Sequence, residues 1–99
     1  MTLSNFISNK ILINPKKKYS AIIGINPSQG ARSPKLWNRA YKKMNSETKM
    51  ICLDVKKKNY LKLMNYLEKD KNFIGGAITN PYKEITYKYL KLKLVSKIL

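Results

Sequence analysis

Phe73-Ile74-Gly75-Gly76-Ala77-Ile78-Thr79-Asn80-Pro81-Tyr82-Lys83-Glu84 is the stretch that decides the fold of this chain. Its first six residues form an unbroken apolar run, the mark of a strand buried on both faces. Pro81 stands where its fixed φ suits the first position of a helix. The stretch reads as a strand, Phe73 to Thr79, handing over to a helix from about Pro81 to Leu90. A hydroxyl, Thr79, and an ammonium, Lys83, fall together at that junction. In open α/β sheets this is the edge where ligands bind.

The same alternation extends back along the chain. Ser20 to Ile25 and Lys49 to Val55 are apolar runs of strand length. Ser33 and Pro34 read as N-cap and first helical residue. Leu36, Trp37, Ala40, Tyr41 and Met44 follow at helical spacing, so a helix spans Pro34 to Met44. Tyr60, Leu63, Met64 and Leu67 define a second amphipathic helix. The order βαβαβα predicts a three-layer α/β unit, a mostly parallel sheet flanked by helices and joined by right-handed crossovers. Residues 1–18 read as a lead-in ending in a charge run, Lys16-Lys17-Lys18, and residues 19–99 as the domain. Leu90 to Val95 alternates like a strand, while Leu90, Leu94 and Ile98 also fit a helix; both readings stand.

Composition narrows the function classes. Ninety-nine residues suffice for one core. No apolar run approaches the roughly 18 residues of a membrane span, and residues 1–15 lack the pattern of a secretory signal. The single cysteine, Cys52, fits a reducing compartment, so a cytoplasmic location is expected. The net charge is +16, but only Arg32 and Arg39 are arginines among 21 basic residues. Lysine is a solvated point charge without arginine's planar fork. Spread along the whole chain, the lysines argue against nucleic acid as partner and for a basic surface that attracts small carboxylates. With no histidine, Ser-His and Cys-His nucleophiles are excluded, and no transition-metal site is expected.

A second segment joins the first. Gly24-Ile25-Asn26-Pro27-Ser28-Gln29-Gly30-Ala31-Arg32-Ser33-Pro34 follows the first strand as Thr79-Asn80-Pro81-Tyr82-Lys83 follows the third. Together, from about Tyr19 to Leu90, they resemble the substrate-binding half of shikimate dehydrogenases. That family shows Asn-Pro-Ile-Ser-His-Ser-Lys-Ser-Pro after its first strand and Asn-Val-Thr-x-Pro-x-Lys after its third. The chain departs from these patterns at Gly30, Ala31 and Ala77, which stand where the family has histidine, the first serine and asparagine.

The resemblance implies roles residue by residue. Lys83 matches the catalytic lysine, which exchanges a proton with the substrate hydroxyl that becomes a ketone. Desolvation and the helix N-terminus would both disfavour its charged form; the alternative is one more solvated lysine. Thr79 matches a substrate-binding threonine, or is a strand-end threonine bonding backbone or capping the third helix. Ser33 matches the second carboxylate-gripping serine, and as a helix cap it would serve both readings. Arg32 lies between the two serine positions and offers a bidentate partner for a carboxylate. Trp37 reads as a core or domain-contact residue, and Tyr82 as packing or rim. Asp54 lies in a Leu-Asp-Val pattern that resembles structure more than chemistry.

NADP is implied as the family's cofactor, yet the four glycines form no Gly-x-Gly-x-x-Gly fingerprint. The expectation is therefore a substrate domain for a small anionic, shikimate-like ligand, truncated and inactive alone. A cofactor-binding domain of on the order of 100–150 residues would be supplied in cis or in trans. The alternatives are a non-catalytic carboxylate-binding module of the same fold, and a basic nucleic-acid-associated protein.

Overall fold

Strand β1 (Tyr19–Gly24) is buried along its whole length, as a central strand must be. The computed structural model describes residues 2–98, with side chains as far as Leu92. On either side of β1 lie β2 (Lys49–Asp54) and β3 (Phe73–Ile78), both parallel to it, in the order β2-β1-β3. The connecting helices are α1 (Ser33–Lys43) and α2 (Tyr60–Lys69), and α3 (Lys83–Ile98) follows β3. This is the expected α/β unit of parallel strands flanked by helices. Among the described residues no helix is long and apolar enough to cross a membrane.

Two helix starts differ from expectation. Helix α1 begins at Ser33 with Arg32 in the N-cap position and Pro34 in the first turn, so Ser33 is not the cap. Pro81 does not open α3; it sits in a turn closed by Tyr82 N–H donating to Thr79 O at 3.1 Å. The Asn80–Pro81 bond is cis, the form a type VI turn takes at its third residue. The ambiguous tail is helical in its backbone as far as Ile98. Leucine and lysine are strong helix formers, and nothing between Lys83 and Ile98 breaks the helix. The side chains of Leu94 and Ile98 lie outside the described residues.

The core sits on one face of the sheet. Ala21, Ile23, Leu53 and Val55 meet Leu63 and Leu67 of α2, with Tyr60 and Tyr82 beside them. Each fully buried leucine contributes about 1.5–3 kcal/mol. Leu3 and Phe6 join this core from the lead-in. Helix α1 covers the other face but buries no residue completely. Leu36 and Met44 are exposed and Trp37 is 51 % exposed, so Trp37 is not a core residue of the described chain. Polar side chains tie α1 to the sheet instead: Asn38 exchanges two hydrogen bonds with the Met50 backbone (2.7 and 3.1 Å), and Tyr41 OH lies 3.0 Å from Ser20 Oγ.

The two sheet edges are treated differently. Along β2, Asn38 holds Met50, and Asn9 bridges Cys52 O and Asp54 N–H, each at 2.8 Å. Ser8 N–H adds a bond to Asp54 O. Side-chain amides thus occupy the backbone groups on which another strand could pair. Strand β3 carries one extra residue between its pairings with Tyr19 and Ala21. Gly75 takes φ +127° at this bulge, a value that favours glycine.

Tyr19 anchors the start of β1 by donating its phenol hydrogen to Asp70 Oδ2 at 2.6 Å. Burial first, and then the hydrogen bond to Asp70, push its pKa well above the ordinary 10.0. The folded state therefore holds this proton while the unfolded chain releases it. The contribution is complete below pH ~10 and is lost as pH rises past it. Tyr19→Phe is expected to cost about 1.5–3 kcal/mol at pH 7. It should also flatten the fall in stability above pH ~10. Urea unfolding of both proteins at neutral and alkaline pH reads both effects.

Candidate functional site

The chain passes from β1 outward to β2 and then returns across β1 to β3. The connections therefore diverge at the carboxyl ends of β1 and β3. In doubly wound sheets such a reversal opens a crevice at that edge, and ligands bind there. The loop of residues 25–32 leaves β1 at this point, and the turn from Thr79 to Tyr82 leaves β3 beside it. The two segments singled out in the sequence meet at one sheet edge.

Thr79 extends the β1–β3 ladder by one bond, its N–H donating to Ile23 O at 2.8 Å. Its hydroxyl lies 3.3 Å from the same oxygen and 3.5 Å from Asn80 O. These are long, divided bonds of the strand-end kind, and Thr79 is not a cap, since α3 begins four residues later. The Thr79 side chain rests on Gly24, where an added Cβ would lie 3.4 Å from Thr79 Cβ and closer still to its hydroxyl. The end of β1 thus accommodates Thr79 only because residue 24 lacks a side chain.

Arg32 is exposed and Ser33 half-buried at the start of α1. No side chain caps this helix, and its first turn holds no acidic residue. Its positive end is therefore open to an anion. Lys83 is the first residue of α3 and is exposed. The desolvation expected for it is not provided by the described residues. Ala31 is half-buried and Ala77 exposed, so at both positions the edge presents a methyl group instead of a hydrogen-bonding side chain.

What pins Lys83 is its neighbour Tyr82, which is fully buried. The Tyr82 ring stacks on Tyr60 with centroids 4.2 Å apart and planes inclined by 15°. Its hydroxyl donates to Val55 O at 2.6 Å, and its carbonyl accepts from Thr86 N–H at 2.9 Å and Thr86 Oγ at 2.6 Å. Tyr60 OH also bonds to Thr86 Oγ. Burial pushes both phenols up. Sequence reading placed Tyr82 at packing or rim; the structure makes it the anchor of the turn. The 22-residue spacing between Tyr60 and Tyr82 carried no signal of the pair.

Asp54 closes the constellation. It is 6 % exposed at the end of β2, where it pairs in register with Gly24. One carboxylate oxygen accepts from Ser28 N–H at 2.9 Å, and the other accepts from Ser28 Oγ. Cys52, two residues earlier, has its thiol pushed up by burial and then by the Asp54 charge. It is therefore not activated as a nucleophile.

The described residues do not fit a dinucleotide. Gly24 lies beneath Thr79, and Gly75 and Gly76 belong to β3, so no glycine-rich loop cradles a pyrophosphate. A family model described as the shikimate dehydrogenase substrate binding domain matches residues 22–96. No curated protein and no solved structure matches the chain. The match takes in all three strands apart from the first residues of β1, both edge segments and nearly all of α3. On that evidence the chain belongs to the family of shikimate dehydrogenase substrate-binding domains.

Proposed function

We propose that the sheet edge between β1 and β3 binds shikimate or its dehydro form, as the substrate half of an NADP-dependent oxidoreductase. The observation that carries this reading is the meeting of the two segments at the topological switch point. Arg32, Ser33 and the uncapped N-terminus of α1 receive the ligand carboxylate, the arginine through paired N–H donors. Thr79 turns its loosely held hydroxyl to a ring hydroxyl. Lys83 exchanges the proton of the hydroxyl that is oxidised. The cofactor-binding domain is supplied in cis or in trans, and the hydride transfer is not assigned to the described residues. The single, partly buried cysteine is compatible with a reducing, cytoplasmic setting.

Calorimetric titration of the 99-residue chain with shikimate tests the binding half of this reading. Saturable binding is expected, weakened roughly 10- to 100-fold in Arg32→Ala, as for a hydrogen bond to a charged group. No binding by the native chain would overturn it, and unchanged affinity in Arg32→Ala would remove Arg32 from the site.

Ala31 and Ala77 favour a second reading, a carboxylate-binding module of the same fold without catalysis. It differs in one outcome: ligand binds, and no turnover appears when a cofactor-binding domain and NADP are added.

A further inference from the structure

The connection from β1 to α1 has two distinct parts. Residues 26–29 are tied down, because Pro27 is buried, Gln29 N–H donates to Asn26 O, and Ala31 N–H reaches back to Pro27 O. Arg32 and Ser33, which follow, belong to the start of α1, where Leu36 N–H donates to Arg32 O at 3.3 Å, and the α1 N-cap makes no side-chain bond. Their position is set from two sides, by α1, which Asn38 and Tyr41 tie to the sheet further along, and by how firmly the preceding turn is fixed to the sheet.

That fixing is the work of Asp54. Both of its oxygens accept from one residue, Ser28, whose N–H and O–H grip the carboxylate as a pair. Hydrogen bonds to an ionised acceptor are roughly twice as strong as neutral ones. Asp54 is itself immobilised in turn. Its N–H donates to Asn9 Oδ1, its carbonyl accepts from Ser8 N–H, and the next residue, Val55, donates its N–H to Gly24 O. A continuous set of bonds thus runs from the β2 edge through Asp54 and Ser28 to the turn that delivers Arg32 and Ser33.

The chemistry of the pair matters as well. The chain has only five acidic residues. Glu47 pairs with Lys17 and Glu84 with Lys88, whereas Asp54 is engaged by the neutral donors of a serine. Ser28 occupies the Asp54 carboxylate and keeps it aimed at the turn.

We propose that Asp54 is a positioning residue of the candidate site. Acting through Ser28, it holds the β1–α1 turn so that Arg32 and Ser33 face the edge, and so sets the preference of the site for a carboxylate. The proposal rests on the reading that this edge binds a carboxylate ligand, and its test separates the two.

The test uses the full 99-residue chain, as Ser28→Ala and Ser28→Thr, the second keeping the hydroxyl. Two quantities are read. The first is amide hydrogen exchange without ligand, at residues 28–33 against β1 as internal reference. The second is affinity for shikimate against the same ring triol lacking the carboxylate. In Ser28→Ala, exchange at residues 28–33 is expected to accelerate about tenfold while β1 is unchanged. Shikimate affinity should fall about tenfold and the triol's by less than twofold, and Ser28→Thr should recover most of both effects. A role confined to general stability would accelerate β1 exchange and weaken both ligands equally, which overturns the proposal. Unchanged exchange at residues 28–33 overturns it as well. Should the native chain bind neither ligand, the ligand reading falls by itself. Local acceleration in Ser28→Ala would then still support the latch, and its absence would still refute it.

Discussion

Gly76→Ala is expected to destabilise the chain by about 3 kcal/mol or more. Gly76 pairs with Ala21 across the β1–β3 ladder. A Cβ built there would lie 2.8 Å from the Ala21 carbonyl carbon, 2.9 Å from Ala21 N and closer still to Ala21 O. These are backbone atoms of the central strand, which is locked between two neighbours and cannot turn aside as a flexible side chain can. Relief requires β3 to move away from β1. That breaks the ladder, the Tyr19–Phe73 ring contact and the Thr79–Ile23 bond together. Overpacking of this kind costs about 3 kcal/mol or more, a large part of the ~5–15 kcal/mol that holds a domain together. Gly30→Ala is the control, since an added Cβ meets nothing within 4 Å there, and its effect should stay within about 0.5 kcal/mol. Far-ultraviolet circular dichroism with urea titration reads both. A Gly76→Ala protein with an unchanged midpoint would show that β3 does not pair with β1 in this register.

The second large effect is expected at Lys83. When a cofactor-binding domain is supplied, Lys83→Met should lower kcat for shikimate oxidation by roughly 10²- to 10⁴-fold, the size of a lost general acid–base group. Shikimate affinity of the chain alone should change by less than about tenfold, because the carboxylate contacts lie on the other segment. The split distinguishes proton exchange from binding, since a residue that only holds substrate would raise KM with kcat intact. The anchor behind Lys83 keeps the variant interpretable. Tyr82, stacked on Tyr60 and bonded to Val55 O, fixes the turn whatever side chain follows. Equal kcat in Lys83→Met and the parent would take Lys83 out of the chemistry.

Much of this arrangement was legible along the chain. The three strands lie within a residue of their apolar runs, but only β1 is buried along its whole length. Strand β3, expected to be buried on both faces, is an edge strand with no fully buried residue and with Ile74 exposed, because an apolar run marks a strand without saying what covers its faces. Helix α2 follows its Tyr60, Leu63, Met64, Leu67 stripe, and Leu63 and Leu67 do enter the core. Helix α1 shows where such reasoning stops. Its apolar positions predict a helix, and the helix is there, yet Leu36, Trp37 and Met44 remain exposed. Asn38, a polar residue outside the stripe, and the hydroxyl of Tyr41 within it make the attachments to the sheet. Helical period specifies which residues share a face, but not whether a neighbour covers it.

Sequence by itself determined the alternation of strands and helices and the presence, after the first and third strands, of two segments that resemble the family's pattern. Local period and turn chemistry are properties of neighbouring residues, so one chain suffices to read them. Only the tertiary structure decided that β1 is central, that both segments share its carboxyl edge, and that Arg32 rather than Ser33 precedes α1. It also decided the contacts that fix the edge. Ser28 with Asp54 and Tyr60 with Thr86 each join residues 26 apart, and Tyr82 with Val55 joins residues 27 apart. No local pattern encodes such pairs, because each exists only once the sheet has brought distant residues together.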